Sequence, residues 1–323
     1  MKVKAKQFNF KNNERPKVLF LGNGLCRAFN GGDWDNIIAK MGNEKIIISE
    51  DVPMTVKASV KIEGDVSEKI AEYCKEAMKN RELDKFFFQR SELIKRFLSI
   101  GFDYVITTNY TYEVENALLG KPASQSQLEK AQRHVGIKNA EKKYSIHTFD
   151  EFGNQQIWHI HGQMRKPNSM VLTNYYYGEL IFKYKDYIDK NAIKRYRKQT
   201  IERGTLEIKS WIDAFLFGNV YMVGFGMDLS EIDLWWLLEE KDSQRSRSHM
   251  PFGRIIFFEP QKVKNKRDRL SSDDCKYLLF EKYGVEFESL NYRVLDSNTS
   301  EETNKLYQEF YEKVCEHLQN SIG

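Results

Sequence analysis

The sequence predicts an α/β fold built on a mostly parallel sheet, and three observations carry that expectation. Short apolar runs, Val18-Leu19-Phe20-Leu21, the β-branched Tyr104-Val105-Ile106 and Val220-Tyr221-Met222-Val223, read as buried strands. Each runs directly into a loop of small or polar residues. Segments with helical spacing lie between them, from Ser67 to Asn80 and from Glu82 to Ile100. No internal repeat or low-complexity linker divides the chain, so one domain over residues 1–323 is expected. Helical insertions are expected at 65–101 and 175–217, and a C-terminal helix at 299–319.

The chain carries 50 basic and 46 acidic residues, a net charge of +4, and is 41% apolar. Such near balance argues against a dedicated nucleic-acid binder, which shows a basic excess or stripe. Met1 to Lys17 is polar and basic with no apolar core, so no signal peptide is expected. The most apolar window, Trp211 to Met227, is broken by Asp213 and Gly218-Asn219 and reads as a helix end followed by a strand, not a membrane span. Cys26, Cys74, Cys275 and Cys315 form no C-x-x-C pair, so neither a zinc ribbon nor a disulfide framework is expected. The expected setting is the reducing cytoplasm.

Val18–Leu21 runs into Gly22-Asn23-Gly24-Leu25-Cys26. A G-x-G turn lets backbone N–H groups approach a pyrophosphate, because glycine has no Cβ in the way. The dinucleotide fingerprint wants a third glycine at position 27, where Arg27 stands, so an ordinary dehydrogenase loop is excluded and a plain tight turn remains open. Gly31-Gly32-Asp33 continues the loop, and Trp34, Ile37, Ile38 and Met41 have helical spacing. Residues 45 to 64 read as irregular. Gly101 stops the helix that precedes Tyr104.

At the end of the Tyr104 strand come Thr107, Thr108 and Asn109, then a helical segment with Val114, Ala117 and Leu118. Ligands of open α/β sheets sit beyond the carboxyl ends of the strands. Asn109 is therefore either a site residue or a cap for the following helix. Residues 121 to 143 read as an exposed insertion. Tyr144–Phe149 and Ile157–Gly162 alternate as strands do, and the second ends in His161-Gly162. That strand-end position favours His161 over His159 or His147 as a catalytic group, with His159 on the same face as a possible supporting partner. Val171–Thr173 reads as a short strand and Tyr175 to Gly218 as mostly helical. The basic stretch Lys194, Arg195, Arg197 and Lys198 suits a solvated helix face first, with phosphates or an acidic partner as the alternatives. Gly224-Phe225-Gly226-Met227-Asp228 follows the Val220 strand, and Asp233 lies in the first turn of the next helix. Arg254–Phe258 and Val285–Phe287 are the last strands, with a basic excursion, Lys262–Arg269, between them.

Four strand-end loops stand out: Gly22-Asn23-Gly24, Thr107-Thr108-Asn109, His161-Gly162 and Gly224-Phe225-Gly226. Together, in order and rough spacing from Val18 to Leu238, they resemble the sirtuin superfamily. The closer resemblance is to the sirtuin-like branch of bacterial antiphage and abortive-infection effectors. It is carried by Leu21 to Leu25, Thr107 to Tyr110 with Glu115, His161-Gly162, and Val223 to Gly226 with Asp233 and Leu237-Leu238. Asn23, Cys26 and Thr111 depart from the family's usual alanine, serine and aspartate.

The resemblance implies a Rossmann-like, mostly parallel sheet with a smaller helical subdomain and no zinc ribbon. It implies NAD as substrate, no metal, and hydrolysis to nicotinamide and ADP-ribose. Asn109 and His161 are then the catalytic residues. Gly22, Asn23, Gly24 and Leu25 would cradle the pyrophosphate, with Thr107 and Thr108 beside them. Gly224, Phe225, Gly226 and Met227 would line the adenosine half, with Asp228 or Asp233 near the ribose hydroxyls. A protein deacylase and a non-catalytic NAD- or ADP-ribose-binding module are the alternatives. A toxic hydrolase needs control, so a regulatory protein encoded nearby or a homo-oligomer is expected, docking on the helical insertions or the C-terminal helix.

Overall fold

Val18 to Leu21 and Tyr104 to Thr107 are buried along their whole length, as strands covered on both faces must be. The computed structural model describes the chain except residues 13, 30–37, 39, 50–51, 82–84, 136–143, 190–192, 264–273, 296–297 and 323. Its strands are β1 (Lys2–Val3), β2 (Lys6–Asn9), β3 (Lys17–Leu21), β4 (Tyr104–Thr107), β5 (Gln132–Val135), β6 (Thr148–Phe152) and β7 (Gln155–His159). They continue with β8 (Thr205–Ile208), β9 (Asn219–Val223), β10 (Ile255–Phe258), β11 (Gln261–Val263), β12 (Val285–Glu288) and β13 (Arg293–Leu295).

Among the described residues, nine strands form one sheet in the order β1-β5-β6-β7-β4-β3-β9-β10-β12. The six from β7 to β12 pair in parallel. β6 is antiparallel to both β7 and β5. Numbered by their own chain order, the six parallel strands run 3-2-1-4-5-6, the doubly wound arrangement whose direction reverses between its first and fourth strands. Here that reversal falls between β3 and β9. The fold is α/β and Rossmann-like.

Strand alternation divides the core into two layers. Val18, Phe20, Tyr104, Ile106, Val220 and Met222 face Trp211, Phe215, Leu234 and Leu237. Leu19, Leu21, Val105 and Val223 face Leu93, Phe97, Phe310 and Val314. The last helix, Ser300–Ile322, buries Phe310, Tyr311, Val314, Cys315 and Leu318. Its apolar stripe therefore covers the sheet and the short Gly24–Ala28 helix, where Gln308 donates to the Ala28 carbonyl. Only its polar face is left for a partner.

Several local expectations change. Residues 45–64 contain a helix, Met54–Lys61. Val171–Thr173 is buried but not a strand; the Tyr110 hydroxyl and the His161 carbonyl bind its backbone instead. The 175–217 stretch is not wholly helical, because β8 pairs antiparallel with β2, burying Leu206 and Ile208. Of the basic stretch, Arg195 is a structural ion-pair partner of Asp213 at 2.7 Å, while Lys194, Arg197 and Lys198 are exposed. Of the aromatic run Phe86-Phe87-Phe88, which the sequence suggests for the core, Phe87 is buried but Phe88 is 71% exposed. In the 121–143 stretch, Ser124 and Gln127 form a capping box for the Gln125–Ala131 helix, and β5 joins the sheet. Trp34, Ile37, residues 136–143 and residues 264–269 lie outside the described residues. No described helix is long and apolar enough to cross a membrane.

Gly224 has φ +66°, and a Cβ there would stand 2.7 Å from the Leu25 backbone nitrogen. Gly224→Ala is expected to lower the unfolding free energy by at least about 1–3 kcal/mol, read from urea denaturation.

Candidate functional site

Register brings the expected loops together. Leu21 pairs with both Thr107 and Val223, and Thr107 pairs with His159. Four adjacent strands thus end on one line. Asn109 and His161 each lie two residues beyond the Thr107–His159 pair, at the tips of neighbouring strands. The two glycine turns flank the strand-order reversal beside them.

These turns are packed against each other. The Gly22 N–H donates to the Val223 carbonyl at 3.0 Å and the Gly24 N–H to the Gly224 carbonyl at 2.5 Å. A Cβ on Gly22 would approach the Gly224 oxygen to 2.5 Å, and one on Gly24 would approach it to 2.7 Å. Glycine is therefore required for turn-to-turn contact. Those two N–H groups serve the protein itself, so a bound pyrophosphate would have to use other donors of the loop. Asn23 is the N-cap of the Gly24–Ala28 helix without a side-chain cap bond, and Leu25 is buried.

Asn109 does not cap the next helix, which spans Glu113–Leu119 with Tyr112 at its N-cap. Its backbone N–H donates to Thr107 Oγ1 at 3.1 Å. Its carbonyl accepts from His159 Nδ1 at 2.7 Å, and His159 Nε2 lies 2.8 Å from Glu115 Oε1. His159 and Glu115 are both buried, and Tyr112 stands edge-on to the imidazole. The Asn109 backbone is thus held at both polar groups. Its half-buried carboxamide makes no hydrogen bond to a described residue. Thr108, also half-buried, adjoins it.

His161 meets two carboxylates from the turn entering the Ile232–Ser248 helix. Its Nε2 is 3.1 Å from Asp233 Oδ2 and its Nδ1 is 3.7 Å from Glu231 Oε2. Tyr184 donates to Asp233 at 3.1 Å and Tyr177 to Glu231 at 3.0 Å. The side-chain exposures are 3% for His161, 0% for Asp233 and 18% for Glu231. Gly162 has φ +93°, and a Cβ there would fall 2.2 Å from the Ser169 carbonyl oxygen. Only glycine lets the chain turn this tightly behind His161.

Charge follows from these contacts. Burial disfavours the imidazolium of His161, but Asp233 and then Glu231 overcome it and raise the pKa. Burial likewise opposes and Glu115 reverses the shift at His159, again upward. Burial, with Asp233 and Asp228 adding to it, pushes Glu231 up to about 7 against the pull of His161 and Tyr177.

The donor atoms of His161, Glu231 and Asp233, and those of His159, Glu115 and Asp150, are near enough to surround a cation. Each carboxylate nevertheless has a partner already. Asp150 binds Arg165 and Gln163, Glu115 binds His159, and Tyr177 and Tyr184 donate to Glu231 and Asp233.

The family model of the SIR2-like domain matches residues 103–287. The chain belongs to this sirtuin-like family. SIR2-like domains use NAD, so an NAD-using enzyme is the general activity that fits. No curated protein matches the chain.

Within this SIR2-like domain the match spans Asn109, His161 and the β9 turn, and begins after Gly22–Leu25. In the β9 turn, Phe225 is buried against Phe20 and Met227 is buried with φ +46°. Gly226 is exposed, its carbonyl held by Lys276, which also pairs with Glu259. Asp228 is exposed and binds the Ser230 N–H. Asp233 sits beneath His161 and presents no surface to a ribose. Glu231, Glu259 and Lys276 escaped the sequence analysis. Glu231 lies two residues before Asp233 at a helix entrance and Glu259 directly follows β10, positions that could have drawn attention to them.

Glu115→Ala is expected to cost about 3–5 kcal/mol by leaving His159 unpaired, measured by urea denaturation at neutral pH. The raised pKa values make the folded chain bind more protons than the unfolded one. For the histidines this stabilisation is full below about pH 6.5 and is lost as pH rises through their folded values. For Glu231 it is full below about pH 4.5 and is lost as pH rises through about 7. Urea midpoints should therefore fall from mildly acid to mildly alkaline pH.

Proposed function

We propose that this chain is an NAD+ glycohydrolase, releasing nicotinamide and ADP-ribose, that acts as a toxic effector depleting NAD in antiphage defence. The observation that carries the reading is the Asn109 carboxamide, unengaged by the described protein and at the tip of the strand next to the one that leads to His161. Family membership supports NAD as the substrate.

The nicotinamide–ribose bond joins a cationic leaving group to an anomeric carbon. Cleavage is dissociative, and nicotinamide departs neutral without a general acid. The protein must supply orientation, a placed water and a proton acceptor. Asn109 suits orientation, because its amide both donates and accepts. The hydrogen bonds at Thr107 and His159 fix the backbone from which that amide projects. Gly22–Leu25 and Gly224–Met227 flank the position expected for the rest of the dinucleotide.

An unregulated NAD hydrolase would kill its host, so the reading includes control by a protein encoded nearby or by self-assembly. Deacylation is the lesser reading, since the sequence has no cysteine pairs for the ribbon that shapes an acyl-lysine cleft.

Nicotinamide release from NAD should be measured with the purified chain, alone and with the products of adjacent genes, with and without acylated peptide. Asn109→Ala is expected to abolish release and leave the thermal transition unchanged. Release at the wild-type rate by Asn109→Ala, or release only with acylated peptide, overturns the assignment.

A further inference from the structure

Building on the glycohydrolase reading, we infer that Glu231 takes the proton from the attacking water, and that His161 and Asp233 hold Glu231 in place. Both ring nitrogens of His161 are turned toward carboxylates of the helix entrance rather than toward the sheet edge. The imidazole and Asp233 are buried, whereas the Glu231 side chain reaches the surface. Tyr177 anchors Glu231 Oε2, and Oε1 makes no hydrogen bond to a described residue. Glu231 also adjoins the loops that define the site. It follows the β9 turn, faces His161 two residues past the end of β7, and lies in the electrostatic reach of Tyr110, next to Asn109.

The charges point the same way. Burial opposes the His161 imidazolium, but Asp233 and Glu231 raise its pKa, so the charge of the ring is engaged by these two carboxylates. Glu231 faces His161, Asp233, Tyr177, Tyr184, Asp228 and Tyr110 from the surrounding elements, and their balance with burial leaves it titrating near neutrality. A base works best when its pKa lies near the working pH.

In the step, the C–N glycosidic bond breaks and its electron pair passes to the nicotinamide ring nitrogen. The water oxygen bonds to the anomeric carbon, and one water proton moves to Glu231, which later releases it to solvent. NAD+ and water give ADP-ribose, nicotinamide and a proton.

The test is the pH profile of kcat/KM for nicotinamide release, using the full chain with any activating neighbour. Wild type should lose rate tenfold per pH unit below about 7. Glu231→Gln should lose roughly 10²–10⁴-fold and have no acid limb, while Glu231→Asp keeps the limb and recovers part of the rate. Tyr177→Phe removes the hydroxyl that holds the carboxylate's pKa down, so it should move the limb to higher pH; it decides the matter should Glu231→Gln fail to fold. A Glu231→Gln enzyme with wild-type rate or an intact acid limb, or a Tyr177→Phe limb that stays in place, overturns the inference and leaves the glycohydrolase reading standing. A wild type that releases no nicotinamide under any of these conditions overturns both.

Discussion

The site depends on one constraint: β7, β4, β3 and β9 are parallel, in register, and end on one line. Parallel ladders transmit alignment from strand to strand through evenly spaced hydrogen bonds. Pairing of Leu21 with Thr107 and Val223, and of Thr107 with His159, therefore fixes the height of every following loop. A slip of one residue in β4 would turn Tyr104 and Ile106 toward the other layer. It would also withdraw Asn109 from His161. The apolar core that resists such a slip is what aligns the polar edge.

Two histidines two residues apart then take different tasks. His159, within β7, clamps the Asn109 carbonyl and is charge-matched by Glu115. His161, past the strand end, meets acids supplied by a distant helix entrance. Alternation places both on one face, but their partners come from opposite sides. One builds a rigid backbone; the other joins a proton-holding cluster with a single partly exposed carboxylate. The glycines are equally divided. Those at 22, 24 and 224 permit two turns to touch, and the one at 162 permits a sharp bend behind the imidazole.

Much of this was legible in the chain. The short apolar runs marked the central strands because residues buried on both faces leave a continuous apolar signature. Asn109 and His161 were legible because small polar residues directly after such a run have no core to fill. The short pieces were not. β2 and β8 are partly polar strands that pair with each other across about two hundred residues, and no local period announces such a partner. The Met54–Lys61 helix has only Thr55 and Ala58 buried, too little for an apolar stripe.

By itself, the sequence determined the order of the central parallel strands and the strand-end residues of the site, since these follow from local period and chemistry, and its motifs carried the resemblance to a SIR2-like, NAD-using fold. Only the tertiary structure decided which charges meet. Asp233 lies under His161 instead of facing a ribose, Arg195 is held by Asp213, and Glu231 is pushed toward neutrality. Those outcomes depend on burial and on partners distant in sequence, and the spacing of residues along a chain encodes neither.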